Sequence, residues 1–388
     1  MSGSCLLTLN AGSSSLKFAL YDTAGALQQR LSGQVSELGT APRLQARAAG
    51  EEMDEDWSGA SDAEAILLRT LDWIAARSES QGLDTVGHRI VHGGLAFRAP
   101  ALLTPEVVSQ LEALEPLAPL HQPFNLRGVA LAALRFPGAR QIGVFDTAFH
   151  ADQPEVARLY ALPRELIARG ILAYGFHGLS YAYIADVLKT EHGPEAGGRT
   201  IVAHLGSGVS LCALTQGRSI ATTMGFSALD GPPMSTRSGA LDPGVILHLL
   251  QAGGLGVAEV TDLLYNRSGL LGLSGISGDM KTLLASPRAE AREALDVYVY
   301  RIARAIGSLA AALGGLDTLV FTAGVGENVA PIRARIAAQC AWLGARLDPE
   351  ANAAGARILS QPDSSVRLLV IPTDEQQVIA RGASSLLA

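Results

Sequence analysis

Cysteine is scarce: Cys5, Cys212 and Cys340 are all that 388 residues contain. An odd, scattered set of this kind excludes a disulfide framework and zinc-type spacings, and it fits a reducing cytoplasm. Positive charge is in deficit, with 30 Lys and Arg against 37 Asp and Glu, a net charge of −7 and a pI near 5.6. No basic face for nucleic acid is expected from that balance, whereas a small anion held by a few local cations remains compatible with it. Long apolar runs are missing too. The longest apolar helical stretch, residues 295–313, is interrupted by Asp296, Arg301 and Arg304, so no bilayer span and no membrane partner are expected. The opening Met1-Ser2-Gly3-Ser4 lacks the basic and apolar regions of a secretory leader. Nor is there a Walker A run, GxxxxGK followed by Ser or Thr.

What is present is a large apolar fraction, 48% hydrophobic over 388 residues, which is enough for two domains. The first strand signals, in SCLLTLNAGSSSLKFALYD, flank a turn crowded with hydroxyls and closed by Lys17. Two readings stand: a polar hairpin turn, or a hairpin whose Gly12 lets phosphate approach the backbone while hydroxyls and Lys17 bind its oxygens. Pro42 to Asp62, with the acidic run EEMDED, reads as exposed loop or edge. From Thr104 a helix is expected, with Pro105 in its first turn. QIGVFDTAFH places Asp146 at the carboxyl end of a buried strand, where ligands collect in open α/β sheets.

A shift of 194 residues lays Gly12-Ser13 of the first hairpin onto Gly206-Ser207 of IVAHLGSGVSLCAL, with strands on both sides each time. This echo and the chain length favour a duplicated fold with two halves facing a cleft. Leu295, Val299, Ile302, Ile306, Leu309 and Leu313 form one helical stripe closed by Gly314-Gly315. LDTLVFTAG then reads as a buried strand, GVGEN as a tight loop, and Pro331 onward as a helix. The alternation makes the chain α/β.

Several charged residues stand among small ones. Arg89 in GHRIVHGG and Arg237 in MSTRSGALDPG are each compatible with a surface ion pair or with a planar anion clamp. His88 and His92 lie in an extended run without HExxH, which favours a structural role over a metal pair. His177 precedes Ser180, a residue suited to a helix N-cap, so its imidazole would lie near a positive helix end. His121 is enclosed by prolines. Asp146 and Glu375 each follow a β-rich run and could hold Mg²⁺ or serve as caps and turn residues.

Eleven stretches in register resemble the acetate kinase family, within the acetate and sugar kinase, Hsp70 and actin superfamily: NAGSSSLKF, GHRIVHGG, PLHQP, FDTAFH, YGFHG, HLGSG, MGFSALDG, STRSGALDPG, SGLLGLSGISGDMK, FTAGVGEN and IPTDEQ. They run from residue 10 to 376. The resemblance implies two actin-like (ribonuclease H-like) domains with mixed sheets flanked by helices and a cleft between. The first would span residues 1–147, rejoined by 377–388; the second, carrying nucleotide, 148–376. It implies direct in-line transfer of the ATP γ-phosphoryl group to acetate, giving acetyl phosphate and ADP, with Mg²⁺ or Mn²⁺. Members are usually homodimers.

Carried over residue by residue, Asn10 and Glu375 match the metal site, and Asp146, His177 and Arg237 the catalytic residues. Arg89, His121, Val91, Leu120, Phe176 and Ala228 match substrate-binding positions. Lys17 and the runs His204, Leu205, Gly206, Ser207, Gly208; Asp279, Met280, Lys281; and Gly324, Val325, Gly326, Glu327, Asn328 match the ATP contacts. A carboxylic acid is already ionised at pH 7, so no base is needed to make the nucleophile, and Asp146 reads as organising Mg²⁺ or its waters. This chain departs from the family pattern at Ser207, Gln122, Leu179, Tyr181 and Lys281. It also has Ala228 where a proline usually lines the pocket for the substrate methyl group, which predicts room for propionate. Rival readings are a butyrate or sugar kinase of the same superfamily and a weakly active or non-catalytic ATP-binding protein.

Overall fold

Two sheets of the same plan organise the chain. The computed structural model describes residues 5–387 except 13–14, 39–40, 49, 60–61 and 79–81, so Ser13 and Ser14 of the first hairpin lie outside the described residues. One unit comprises Met1–Ala151 and Asp374–Ala388, the other Asp152–Thr373. Glu375 therefore belongs with the amino-terminal unit.

In the first unit the strands are β1 (Cys5–Ala11), β2 (Leu16–Asp22), β3 (Gln28–Ser36), β4 (Arg43–Ala48), β5 (Glu51–Asp56), β6 (Leu83–Ile90), β7 (Ala101–Leu102) and β8 (Arg140–Phe145). They form one sheet in the order β5-β4-β3-β2-β1-β6-β8-β7. The acidic run EEMDED is the edge strand β5, where charge discourages further pairing. β1 is buried along its whole length because the sheet is covered on both faces. Leu7 and Leu9 pack on one side in a core with Trp57, Ile66 and Leu71. Leu6 packs on the other, with Ala380 and Ala383 of the terminal helix Glu375–Ser384. Gly87 makes room for that helix: a Cβ there would lie 2.9 Å from Ile379 Cγ2. This seating brings the start of the helix, and so Glu375, beside the end of β1.

The second unit contains β9 (Thr200–Leu205), β10 (Val209–Thr215), β11 (Arg218–Thr222), β12 (Thr318–Thr322) and β13 (Arg367–Val370), in the order β11-β10-β9-β12-β13. In each unit the central strand runs antiparallel to the next strand in the chain and parallel to the one on its other side. The series β3-β2-β1-β6-β8 thus recurs, and the 194-residue shift lays β1 on β9. The stripe from Leu295 is the buried face of the helix Ala289–Leu313, which Gly314 ends at φ 70°. Among the described residues no helix is long and apolar enough to cross a membrane.

Two local readings are corrected. GVGEN is part of a short helix, Ala323–Asn328, rather than a tight loop. The Glu327 carboxylate accepts from the Ala323 N–H (2.8 Å) and Asn328 Nδ2 donates to the Gly324 carbonyl, closing the turn. Ser180 is not an N-cap, because the helix Gly178–His192 begins two residues earlier. His177 occupies the cap position in a left-handed conformation, φ 57°.

Candidate active site

In the first unit four predicted residues meet at the carboxyl ends of the parallel neighbours β1, β6 and β8. The register pairs Leu9 with His88 and Arg89 with Val144, so Asn10, Arg89 and Asp146 emerge at nearly one level. Arg89 Nε and Nη2 both donate to Asp146 Oδ2, at 2.9 and 2.6 Å. Its Nη1 donates to Asn10 Oδ1 at 3.2 Å, and Asn10 Nδ2 donates to Glu375 Oε2 at 2.6 Å. Burial works against the charge on Arg89, but Asp146 and Glu375 outweigh it and raise its pKa. The Asp146 side chain is 1% exposed and that of Arg89 14%. These bonds use three of the five guanidinium N–H groups, leaving one on each terminal nitrogen, the pair suited to a carboxylate.

Among the described residues no cluster of three or more His, Cys, Asp or Glu could hold a metal. One carboxylate beside one amide, Glu375 and Asn10, fits Mg²⁺, which takes most of its ligands from phosphate and water.

Sequence reading missed what holds this site in place. Gln122, noted there only as a departure, is fully buried in the helix Gln122–Arg135. It accepts from the His92 N–H (3.1 Å) and donates to the His92 and Leu111 carbonyls. Asn125, one turn on, accepts from the Val91 N–H and donates to the Ala11 carbonyl at 2.8 Å, joining the ends of β6 and β1. Val91 is buried, Leu120 is 43% exposed, and His121 occupies the cap position of this helix. His88 is structural: buried, with Nε2 2.7 Å from Gln141 Oε1. Burial pushes His88 and His92 down to about 4.

The second unit gathers His177, His204, Gly208 and Arg237 at the β9–β10 turn. His177 Nδ1 hydrogen-bonds Ser210 Oγ (2.8 Å), which also bonds the Tyr181 hydroxyl. The His177 ring stacks on His204, centroids 4.1 Å apart, and His204 Nδ1 hydrogen-bonds Ser180 Oγ at 2.9 Å. Tyr181 thus supports the histidine that Ser210 orients. A Cβ on Gly208 would lie 3.2 Å from His177 Nε2 and 3.7 Å from Arg237 Nη1, so both side chains converge on this turn. Arg237 Nη1 donates to the Ala228 carbonyl at 3.1 Å. Phe176, next to His177, is buried, and the Ser207 carbonyl accepts from the Ser235 N–H.

Parallel pairing of Thr322 with His204 sets the HLGSG turn and the helix Ala323–Asn328 at the same ends of neighbouring strands. That leaves glycine-rich backbone at the carboxyl edge of the sheet, as phosphate sites need. Glu327 turns its carboxylate inward, accepting from Ala323 and Thr373 N–H groups. Arg333, which no motif flagged, is 1% exposed and donates from Nη1 to the Gly326 and Glu327 carbonyls at 3.0 and 2.8 Å. Asp279 caps the helix Met280–Ala285 through Thr282, and those bonds lower its pKa. Lys281 beside it is exposed, as is Lys17 on β2.

In the first unit Arg89 can hold a carboxylate; in the second, the glycine-rich backbone at the sheet edge can hold polyphosphate. The acetokinase family model matches residues 5–381. An acetate kinase of Rhodopseudomonas palustris (strain TIE-1) is 52% identical over 389 residues, covering 97% of this chain and 96% of that protein. The crystal structure of a propionate kinase from Francisella tularensis subsp. tularensis SCHU S4 superposes with a TM-score of 0.90 at 33% identity, covering 98% of this chain and 99% of that one. Porphyromonas gingivalis acetate kinase gives 0.84 at 36% identity, covering 99% and 100%. With a match over nearly its whole length, the chain belongs to the acetokinase family and has that family's actin-like fold.

Proposed function

We propose that this protein is an ATP-dependent kinase of short carboxylates, converting acetate and ATP to acetyl phosphate and ADP. The observation that carries this reading is Arg89, oriented by the buried Asp146 and by Asn10, with an N–H on each terminal nitrogen still to satisfy. An acceptor that is already ionised needs a cation to bring it to a polyanion, not a base. Arg89 binds the carboxylate, one oxygen of which attacks the γ-phosphorus in line. The bond from that phosphorus to the bridging oxygen breaks, ADP leaves with the electron pair, and no proton moves. His177 and Arg237 stabilise charge on the transferring group, and the turns at Gly206–Gly208 and Gly324–Gly326 bind nucleotide phosphates. Mg²⁺ held by Asn10 and Glu375 would neutralise phosphate charge. Asp146 orients Arg89, which is a use of that carboxylate distinct from organising the metal.

Ala228, in place of the proline expected, favours propionate as a second substrate. ADP release from MgATP is to be measured with acetate, propionate, butyrate and glycerol. Turnover is expected with acetate, with propionate comparable in kcat/KM; an acetate preference of about 100-fold or more would exclude the roomier pocket. Turnover with glycerol alone would favour a sugar-kinase-like reading, and none with any carboxylate a binding protein.

The second unit also carries an apolar helix, Pro243–Gln251, with no buried residue, on which Val245 is 41% and Leu247 53% exposed. That face suits a homodimer contact. Light scattering should give twice the chain mass; a monomer at micromolar concentration would refute it. A cytoplasmic location accords with this chemistry.

A further inference from the structure

The segment carrying Ala228 borders a largely apolar open groove. The groove has a volume of ≈ 480 Å³ and is lined by Tyr160, Phe226, Leu229, Asp230, Ile246 and Leu264 among others. A phenol holds the segment at its start. The Phe226 N–H donates to the Tyr160 hydroxyl oxygen at 2.8 Å. Ser227 Oγ accepts from the Leu229 N–H at 3.3 Å. Ala228 follows directly, and its carbonyl accepts from Arg237 Nη1.

The end of the helix Val257–Asn266 grips the other side of the contact. The Tyr265 carbonyl accepts from Thr236 Oγ1 at 2.8 Å, and the Leu264 carbonyl accepts from the Ser238 N–H at 3.0 Å, so the residues before and after Arg237 are both tied to this helix end. Burial is the largest influence on the Tyr160 phenol and raises its pKa, so it stays a neutral hydrogen-bonding group.

We propose that Tyr160 is a positioning residue for phosphoryl transfer: it keeps residues 226–230 out of the groove, fixes the Ala228 carbonyl against Arg237, and thereby limits the acyl chain length accepted. The inference rests on the carboxylate-kinase reading and on Ala228 lining the acyl site. If a hydroxyl is lost, the segment can retreat into apolar space, which loosens Arg237 and deepens the acyl site together. A role only in folding would couple neither effect to chain length.

The test compares wild type with Tyr160→Phe, which removes the hydroxyl without altering the ring. Steady-state kinetics with acetate, propionate and butyrate are read beside thermal melting. The variant is expected to lose about tenfold in kcat with acetate, the effect of one hydrogen bond, with KM for ATP unchanged. The butyrate-to-acetate ratio of kcat/KM should rise by about fivefold or more. A folded variant with wild-type kcat, or with equal losses on all three acids, overturns the inference. Absence of carboxylate turnover in the wild type would instead overturn the functional reading, and this inference with it.

Discussion

Asp146→Asn is expected to lower kcat with acetate by about 10²–10³, while KM for ATP stays near its wild-type value. The carboxylate is 1% exposed and receives two Arg89 N–H groups on a single oxygen, so it sets the rotation of the guanidinium as well as its place. An amide of the same shape presents one oxygen without full charge and can turn its NH₂ toward the arginine. Two effects on acetate then oppose each other. Loss of the negative charge relieves repulsion of an anionic substrate, which favours binding, whereas loss of the fork's orientation misaligns the attacking oxygen. The first acts on the ground state and the second on the transition state, so KM for acetate should change only a few-fold and kcat should carry the loss. Arg89→Leu is the harsher change but the less informative one. It leaves Asp146 buried without its cation, at a cost of about 3–5 kcal/mol, and would mix instability with lost chemistry. Asp146→Asn with kcat within about threefold of wild type and an unchanged melting temperature would remove Asp146 from the reaction.

The strands that bear this site were legible as apolar runs, and Asp146 at the end of QIGVFDTAFH needed only the rule that ligands gather at carboxyl ends of parallel strands. Duplication was legible because the small residues of two hairpin turns recur at one interval, and both sheets repeat the same strand order. What could not be read was register. Nothing in a linear pattern says that Asn10 stands beside Arg89, or that the terminal helix delivers Glu375 to Asn10. Buried polar residues that act at a distance were silent for the same reason. Gln122, Asn125 and Arg333 are ordinary helix residues in the chain, and only tertiary structure shows them bonding backbone at strand ends and at the Ala323–Asn328 turn. Ser180 shows the limit of local capping rules. A Ser followed by a helical pattern suits a cap, but the helix starts earlier, and the hydroxyl serves His204 instead.

Gly208→Ala is expected to reduce kcat by about 10²-fold with little loss of stability, because the added methyl fills space at the reacting group rather than in the core. Its Cβ would lie 3.2 Å from Nε2 and 3.4 Å from Cε1 of His177, and 3.7 Å from Arg237 Nη1. The imidazole cannot readily give way. Ser210 holds Nδ1 and His204 stacks on the ring face. The turn must therefore shift, or the ring must leave Ser210, and either displaces the groups assigned to the transferring phosphoryl. Backbone strain does not explain such a loss, since Gly208 is outside the left-handed region where a side chain is disfavoured. Gly324→Ala supplies the contrast. A Cβ there meets nothing within 4 Å, so the folded protein tolerates it, and any effect must come from a ligand approaching that backbone. If the turn at Gly324 binds nucleotide, KM for ATP rises while kcat at saturation is largely kept, whereas Gly208→Ala loses kcat at saturating ATP. Equal behaviour of the two variants would mean that the turn at Gly208 holds nucleotide no more specifically than the turn at Gly324, and that His177 and Arg237 do not meet the phosphoryl group there.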